Sequence, residues 1–215
     1  MTALLAGATG LIGHEVARHW TGPGPLHLLL RKALAPSPAA GPLLRTHVVG
    51  FAALPPLPTA DVAFCCLGTT IKVAGSQAAF RAVDFDAVLH FARAAQRAGV
   101  RRFGVVSALG ASARSASFYN RVKGEMEAEL ATLGFSTLVV ARPSLLAGNR
   151  ASLGQPQRLG ERLALAVAAP LAAFMPKAWR PIEAAAVARA LLRAVAQGTP
   201  GIQVLESAAL QDLGT

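Results

Sequence analysis

The sequence predicts a doubly wound α/β fold, a parallel sheet with helices on both faces and a small C-terminal cap over the cleft. Three observations predict it. Short apolar runs alternate with longer amphipathic ones from residue 2 to residue 141, the short runs are continuously apolar, and a glycine-rich turn joins the first run to the first helix. Continuously apolar strands are expected where helices cover both faces of a parallel sheet, whereas a half-exposed sheet would alternate polar and apolar residues.

Residues 2–6 (TALLA) read as the first strand and 11–20 as the first helix, followed by strands at 26–30 (LHLLL) and 46–51. A buried strand is predicted at 61–66, a long helix at 77–98 ending at Gly99, and a strand at 102–107. Residues 116–133 form a helix stopped by Gly134, and 135–141 the next strand. The join between the third and fourth strands carries LPPLPTA, too short and too broken for a helix, so a loop or single turn is expected where a parallel crossover usually takes about 10 residues or more. After Pro143 the pattern changes to a Gly/Arg/Gln-rich loop (148–160) and an Ala/Leu-rich helix, punctuated by Pro170, Pro176 and Pro181. A helix at 183–197, a short strand near 202–205 and a terminal helical turn complete the chain. About 70 residues after the core strands are too few for a second independent domain. Residues 1–215 are therefore expected to form one domain, with 144–182 contributing a cap over a substrate.

With 53% hydrophobic and 15% charged residues the chain is neither disordered nor fibrous. Its two cysteines are adjacent and cannot frame disulfides, and the N-terminus lacks the basic region of a secretory signal, so a cytoplasmic location is expected. A mean hydropathy of +0.44 raises membrane insertion. The longest uncharged apolar stretch, 163–176, is broken by Pro170 and falls short of the roughly 20 residues needed to span, so no membrane association is expected. The net charge of +10 comes from 17 Arg and 4 Lys against 11 acidic residues. Only Arg31–Lys32 and Arg101–Arg102 are adjacent basic pairs, and no basic run is interleaved with aromatics. The charge is assigned to solvated helix faces, and nucleic acid is not expected as a partner.

Gly7, Gly10 and Gly13 in GATGLIG lie between the first strand and the first helix. Glycine there lets the backbone approach a pyrophosphate, while the helix N-terminus presents free N–H groups and a positive dipole end. Dinucleotide binding by this turn, with Thr9, Leu11 and Ile12 alongside the glycines, is expected. A site for NAD would carry an acidic residue roughly 20 residues on, at the end of the second strand, for the ribose hydroxyls. Arg31 and Lys32 stand there instead. A carboxylate would repel the extra phosphate of NADP and an Arg fork would hold it, so NADP(H) is the expected cofactor.

The only Tyr, Tyr119, precedes one of the four Lys, Lys123, by four residues. On a helix that spacing shares a face, and the ammonium stabilises the phenolate, which suits the phenol to general acid–base work. Ser107 ends the preceding strand, at the carboxyl edge where open α/β sheets bind ligands. In the predicted set, Ser107 holds a substrate oxygen and Tyr119 supplies or removes its proton. Lys123 tunes Tyr119 and binds the nicotinamide ribose.

GATGLIG, Ser107 in VVSALGA and the segment YNRVK make the chain resemble a short-chain dehydrogenase/reductase over nearly its whole length. CCLGTT at 65–70, VKGEMEAEL at 122–130, ARPSLLAG at 141–148 and LESAALQDLG at 205–214 are similar to an atypical branch of that superfamily. This branch contains the Tat-interacting oxidoreductase-like proteins and bacterial relatives often labelled sugar-nucleotide epimerase-like. The resemblance implies NADPH as cofactor, Leu67, Gly68 and Thr69 flanking its adenosine, and the backbone around Arg142, Pro143 and Ser144 near its nicotinamide. One departure is that the broader superfamily often draws an asparagine from the helix after the fourth strand, where this chain reads RAVDFDAVLHF and Asp84 is the nearest polar residue.

His14, His19, His27, His47 and His90 show no metal-binding grouping with Cys65 and Cys66, so no metal is expected. The two cysteines would face opposite sides of a strand. Phe174, Met175 and Trp179 are assigned to cap packing, and Glu125, Glu127 and Glu129 to an exposed helix face or a dimer contact. Asn149, Arg150, Gln155, Gln157 and Arg162 are the obvious polar anchors of the cap. The function expected is NADP(H)-dependent oxidation or reduction at a carbonyl or hydroxyl of a small or sugar-like substrate. The alternatives are an NADPH-binding regulatory module with a protein partner, and an epimerase or dehydratase that retains its nicotinamide; a homodimer is compatible with each.

Overall fold

Four consecutive apolar residues make β1 (Ala3–Ala6) a strand buried along its whole length. In the computed structural model, which describes residues 1–33, 43–147 and 175–215, it pairs in parallel with β2 (Leu26–Leu30) on one side and β4 (Val62–Cys65) on the other. Beyond β2 lies β3 (Leu44–Val48); beyond β4 lie β5 (Arg102–Val106) and β6 (Thr137–Arg142). A two-stranded parallel pair, β7 (Leu146–Ala147) with β8 (Ile182–Glu183), sits apart from this sheet. The last strand, β9 (Gly201–Glu206), pairs with β6, giving a seven-stranded parallel sheet in the order β3-β2-β1-β4-β5-β6-β9. The chain thus has the Rossmann-like architecture expected. Strand order reverses between β1 and β4, and ligands of such sheets bind in the crevice beyond the carboxyl ends of the strands at that point.

Helices cover both faces. On one, α1 (Leu11–Arg18) and α6 (Ala184–Gln197) pack Val16, Val187, Leu191 and Val195 against Leu5, Leu28 and Val139 of the strands. On the other, α4 (Ala87–Arg97) and α5 (Phe118–Thr132) pack Phe91, Met126 and Leu130 against Leu4, Leu29 and Phe103. The chain ends in α7 (Ser207–Leu213). Short helical segments α2 (Ile71–Ala74) and α3 (Gln77–Arg81) precede α4.

Three differences from the predicted elements have physical causes. The strand expected at 46–51 runs from Leu44 to Val48, because an edge strand tolerates the exposed Arg45 and Thr46 that hide its start. The single helix expected at 77–98 is α3 and α4 joined by a π turn, Ala82–Asp86, whose one-residue insertion leaves no mark on hydrophobic periodicity. The connection from β3 to β4 has no helix, as its prolines predict. Phe51, Leu54 and Leu57 pack against the core in place of one. Of the predicted cap, residues 148–174 lie outside the described residues, and with them Asn149, Arg150, Gln155, Gln157, Arg162, Phe174 and the Ala/Leu-rich helix. Among the described residues no helix is long and apolar enough to cross a membrane.

Candidate active site

The glycine turn begins where β1 ends. Gly7 has φ +88°, and a Cβ there would lie 2.4 Å from the carbonyl oxygen of Cys66 beyond β4; at Gly13 it would lie 2.1 Å from the Gly7 carbonyl oxygen. Both positions are closed to side chains by the protein's own backbone. Gly10 differs: its φ of −78° suits any residue and a Cβ would reach only ordinary contact, 3.4 Å, with the Gly7 oxygen. As N-cap of α1 it offers no side-chain acceptor, and the first turn holds no acidic residue. The first N–H groups of α1 therefore face the crevice without a protein acceptor on the cap, as a dinucleotide pyrophosphate needs. Thr9 is exposed at the turn, while Leu11 and Ile12 are buried beneath it. Arg31 and Lys32 follow β2 at its carboxyl end, both exposed and with no ion pair or hydrogen bond among the described residues.

Helix α5 carries Tyr119 and Lys123 one turn apart. Phe80 of α3, fully buried, packs its ring 5.2 Å from the half-buried Tyr119 ring. A Cβ on Gly124 would meet Ser112 and Ala113 backbone at 2.1–2.2 Å, so the missing side chain lets the loop after β5 press against α5. Ser107 opens that loop. Its backbone N–H donates to the Ala141 carbonyl at 2.7 Å, but its hydroxyl, on a residue only 5% exposed, has no hydrogen-bond partner among the described residues. The Lys123 Nζ lies 3.5 Å from the carbonyl oxygen of Val106, the residue before Ser107. The helix and the strand end thus meet at one point, and an orphaned hydroxyl waits beside it.

Asp84 completes the cluster. It sits on the π turn with no solvent exposure, its Oδ1 2.8 Å from Lys123 Nζ, and its Oδ2 accepts the Thr69 N–H at 2.9 Å. Burial works against the Lys123 ammonium, but the Asp84 carboxylate and the Tyr119 phenol outweigh it and hold the pKa above the ordinary lysine value. Leu67 packs against the core, Gly68 is exposed above the Asp84–Lys123 pair, and Thr69 is tied to Asp84.

At the end of β6 the Arg142 side chain is committed to Glu127 (3.0 and 2.5 Å) and Glu206 (2.9 Å), the Pro143 carbonyl accepts the Leu109 N–H, and the Ser144 hydroxyl donates to the Arg180 carbonyl and accepts from Ser207. Glu127 accordingly leaves the exposed face expected for it, since its side chain is 10% exposed and ion-paired; Glu125 pairs with Arg81, and Glu129 is exposed with no ion pair among the described residues. Trp179, assigned to cap packing, is instead 62% exposed. Cys65 and Cys66 join opposite core layers, as strand geometry requires, and burial pushes the Cys65 thiol up to about 12. Among the described residues no three His, Cys, Asp or Glu converge on a metal position, although His27 and His47 meet at 2.8 Å. Asp84 as the partner of Lys123, and Phe80 as the support of Tyr119, are the site residues that motif reading missed. The available signal was a carboxylate among apolar residues in FRAVDF.

No family model matches the chain. It is 38% identical over 158 residues to protein HTATIP2 of Rattus norvegicus, covering 72% of this chain and 62% of that protein. It is 35% identical over 154 residues to the mitochondrial protein FMP52 of Eremothecium gossypii, covering 70% of this chain and 68% of that one. The chain thus spans under two thirds of the rat relative's length and about two thirds of the fungal one's. Among solved structures it superposes on MoeE5 in complex with UDP-glucose and NAD with a TM-score of 0.70, at 17% identity over 95% of this chain and 75% of that one, a likeness of fold. Sequence and fold agree, and the chain belongs to the family of the FMP52 and HTATIP2 proteins.

Proposed function

We propose that the chain is an NADP(H)-dependent oxidoreductase of the short-chain type, acting at a carbonyl or hydroxyl carbon of a small or sugar-like substrate. The observation that carries this reading is the buried Ser107 hydroxyl, unpartnered at the carboxyl edge of the sheet next to the helix that bears Tyr119 and Lys123. The groups present suit the dinucleotide. The N–H groups opening α1 and the cleared space at Gly10 would take the pyrophosphate, Arg31 and Lys32 the 2′-phosphate, and Leu67, Gly68 and Thr69 the adenosine side. Lys123 would reach the nicotinamide ribose, near the backbone of Arg142, Pro143 and Ser144. When bound, the dinucleotide supplies or accepts the hydride.

In reduction, Ser107 donates a hydrogen bond to the substrate carbonyl oxygen and Tyr119 transfers its phenolic proton to that oxygen as the carbon gains hydride. The product is the alcohol and the residue left behind is a phenolate, which the Lys123 charge stabilises. Oxidation runs through the same contacts in reverse. Residues 1–215 would act as one dinucleotide-binding domain, with 144–182 closing over the substrate.

A sugar nucleotide as substrate is the second reading, favoured by the fold neighbour that holds UDP-glucose beside NAD. An epimerase or dehydratase would copurify with its nicotinamide and turn over without added cofactor. A regulatory module would bind NADPH and a protein partner without turnover. The proposed compartment is the cytoplasm, although the FMP52 relatives carry a mitochondrial designation, and immunofractionation of the source cells decides between them. Tyr119→Phe should abolish NADPH-dependent carbonyl reduction while NADPH affinity stays within about threefold. Undiminished turnover would remove the assignment.

A further inference from the structure

Phe80, Asp84 and Val88 are all fully buried, so a carboxylate occupies one position on the apolar stripe of the α3–π–α4 helix. A buried charge persists only with compensation. Asp84 has it on two sides, Lys123 Nζ at 2.8 Å and the Thr69 N–H at 2.9 Å. A methyl group built on Gly68 would contact Asp84 Oδ1 at 3.4 Å and Lys123 Nζ at 3.8 Å, and Nζ itself approaches the Val106 carbonyl. One carboxylate therefore links the loop after β4, the end of β5 and helix α5.

We propose that Asp84 is the positioning residue of this site, a buried carboxylate that keeps Lys123 charged and fastens the Leu67–Thr69 loop to the helix carrying Tyr119. The inference rests on reading Ser107, Tyr119 and Lys123 as the catalytic set. A neutral amide at the same position could tether the loop but would leave the ammonium uncompensated. The groups facing Lys123 are Asp84 from the π turn, Tyr119 from its own helix and Cys65 from β4. Burial holds the Cys65 thiol near 12, so it brings no anion at neutral pH. The compensating charge comes from Asp84.

Asp84→Asn preserves shape and an acceptor for Thr69 while removing the charge. With four lysines in the chain, ¹⁵N-lysine NMR can follow Lys123 Nζ directly, Lys123→Met identifying its signal. In the wild-type protein Lys123 should titrate above the ordinary lysine range, and in Asp84→Asn about 2 pH units or more lower. Carbonyl reduction by Asp84→Asn should be weaker than wild type, its decline with rising pH should begin about 2 pH units or more earlier as Lys123 loses its proton, and Asp84→Glu should restore the wild-type shape of the profile. A wild-type Lys123 that titrates at or below the ordinary range, or superimposable profiles for wild type and Asp84→Asn, would overturn the proposal. The wild-type titration decides the matter even if the variant does not fold. Absence of turnover together with an Asp84-dependent titration would remove the oxidoreductase reading and leave the pair intact; turnover with an unshifted titration would do the reverse.

Discussion

A methyl group on Gly13 would lie 2.1 Å from the carbonyl oxygen of Gly7, whereas one on Gly10 would meet that same oxygen at 3.4 Å. The glycines of one motif thus have different reasons to be glycine. Gly13→Ala forces backbone against backbone and should destabilise the fold by about 3 kcal/mol or more, at the upper end of overpacking penalties. Gly10→Ala should cost about 1 kcal/mol, since alanine is a poorer N-cap than glycine, well below the Gly13→Ala penalty, while weakening NADPH at least about tenfold. Urea unfolding and NADPH titration of both variants measure this. A Gly10→Ala protein that binds NADPH like wild type would mean the space above α1 is not a pyrophosphate seat.

Arg31 is exposed and unpaired among the described residues, so its replacement should leave stability within about 0.5 kcal/mol. Its proposed role is confined to the ligand. Arg31→Ala should raise the Kd for NADPH about 10- to 100-fold and leave NADH nearly unchanged, because a charge-assisted contact to the 2′-phosphate is present for one cofactor alone. Thermal unfolding with each of the four nicotinamide dinucleotides is the direct check. Equal stabilisation of wild type by NADH and NADPH would show that these cations do not select.

The strands were legible because parallel strands buried on both faces spell their burial in unbroken apolar runs, as ALLA and VAFC do. β3 was misplaced because Arg45 and Thr46 at the sheet edge give no such run. The one-turn spacing of Tyr119 and Lys123 and the position of Ser107 just beyond a strand were legible because local structure alone fixes them. Asp84 could be located but not understood, since its meaning depends on contacts with Thr69 and Lys123, 15 and 39 positions away. Glu127 was misread for the same reason. Its helix neighbours Glu125 and Glu129 suggest a solvated face, and only the fold shows that Arg142 stands opposite it.

Arg142 joins α5 to the ends of β6 and β9 through Glu127 and Glu206. Its hydrogen bonds to Glu127 outweigh partial burial and raise its pKa further above an already high value, so the guanidinium stays charged throughout the accessible pH range. Glu127 is 10% exposed, and removing it leaves that charge partly buried and half-partnered. Glu127→Ala should cost about 2–3 kcal/mol. Glu129→Ala, one turn-face away and solvent-exposed, should cost less than about 0.5 kcal/mol. Equal effects in chemical denaturation would mean the Arg142 cluster adds nothing beyond a surface charge.

His27 on β2 and His47 on β3 meet with ring nitrogens 2.8 Å apart, which requires one ring to donate and the other to accept. Burial first, then the positive charges available on His47 and Arg45, lowers the His27 pKa below its ordinary 6.5. The unfolded chain therefore binds the His27 proton at a pH where the native chain does not, and stability rises with pH across that interval. The contribution is complete above about pH 6.5 and is lost as the pH falls through the lowered native value. Unfolding free energy measured in urea between about pH 7.5 and 5 should decline, and His47→Gln should flatten that decline, because a glutamine can still hydrogen-bond His27 but cannot acquire a charge beside it. A slope identical in the variant would place the acid sensitivity elsewhere and leave the histidine pair as a neutral contact between β2 and the edge strand β3.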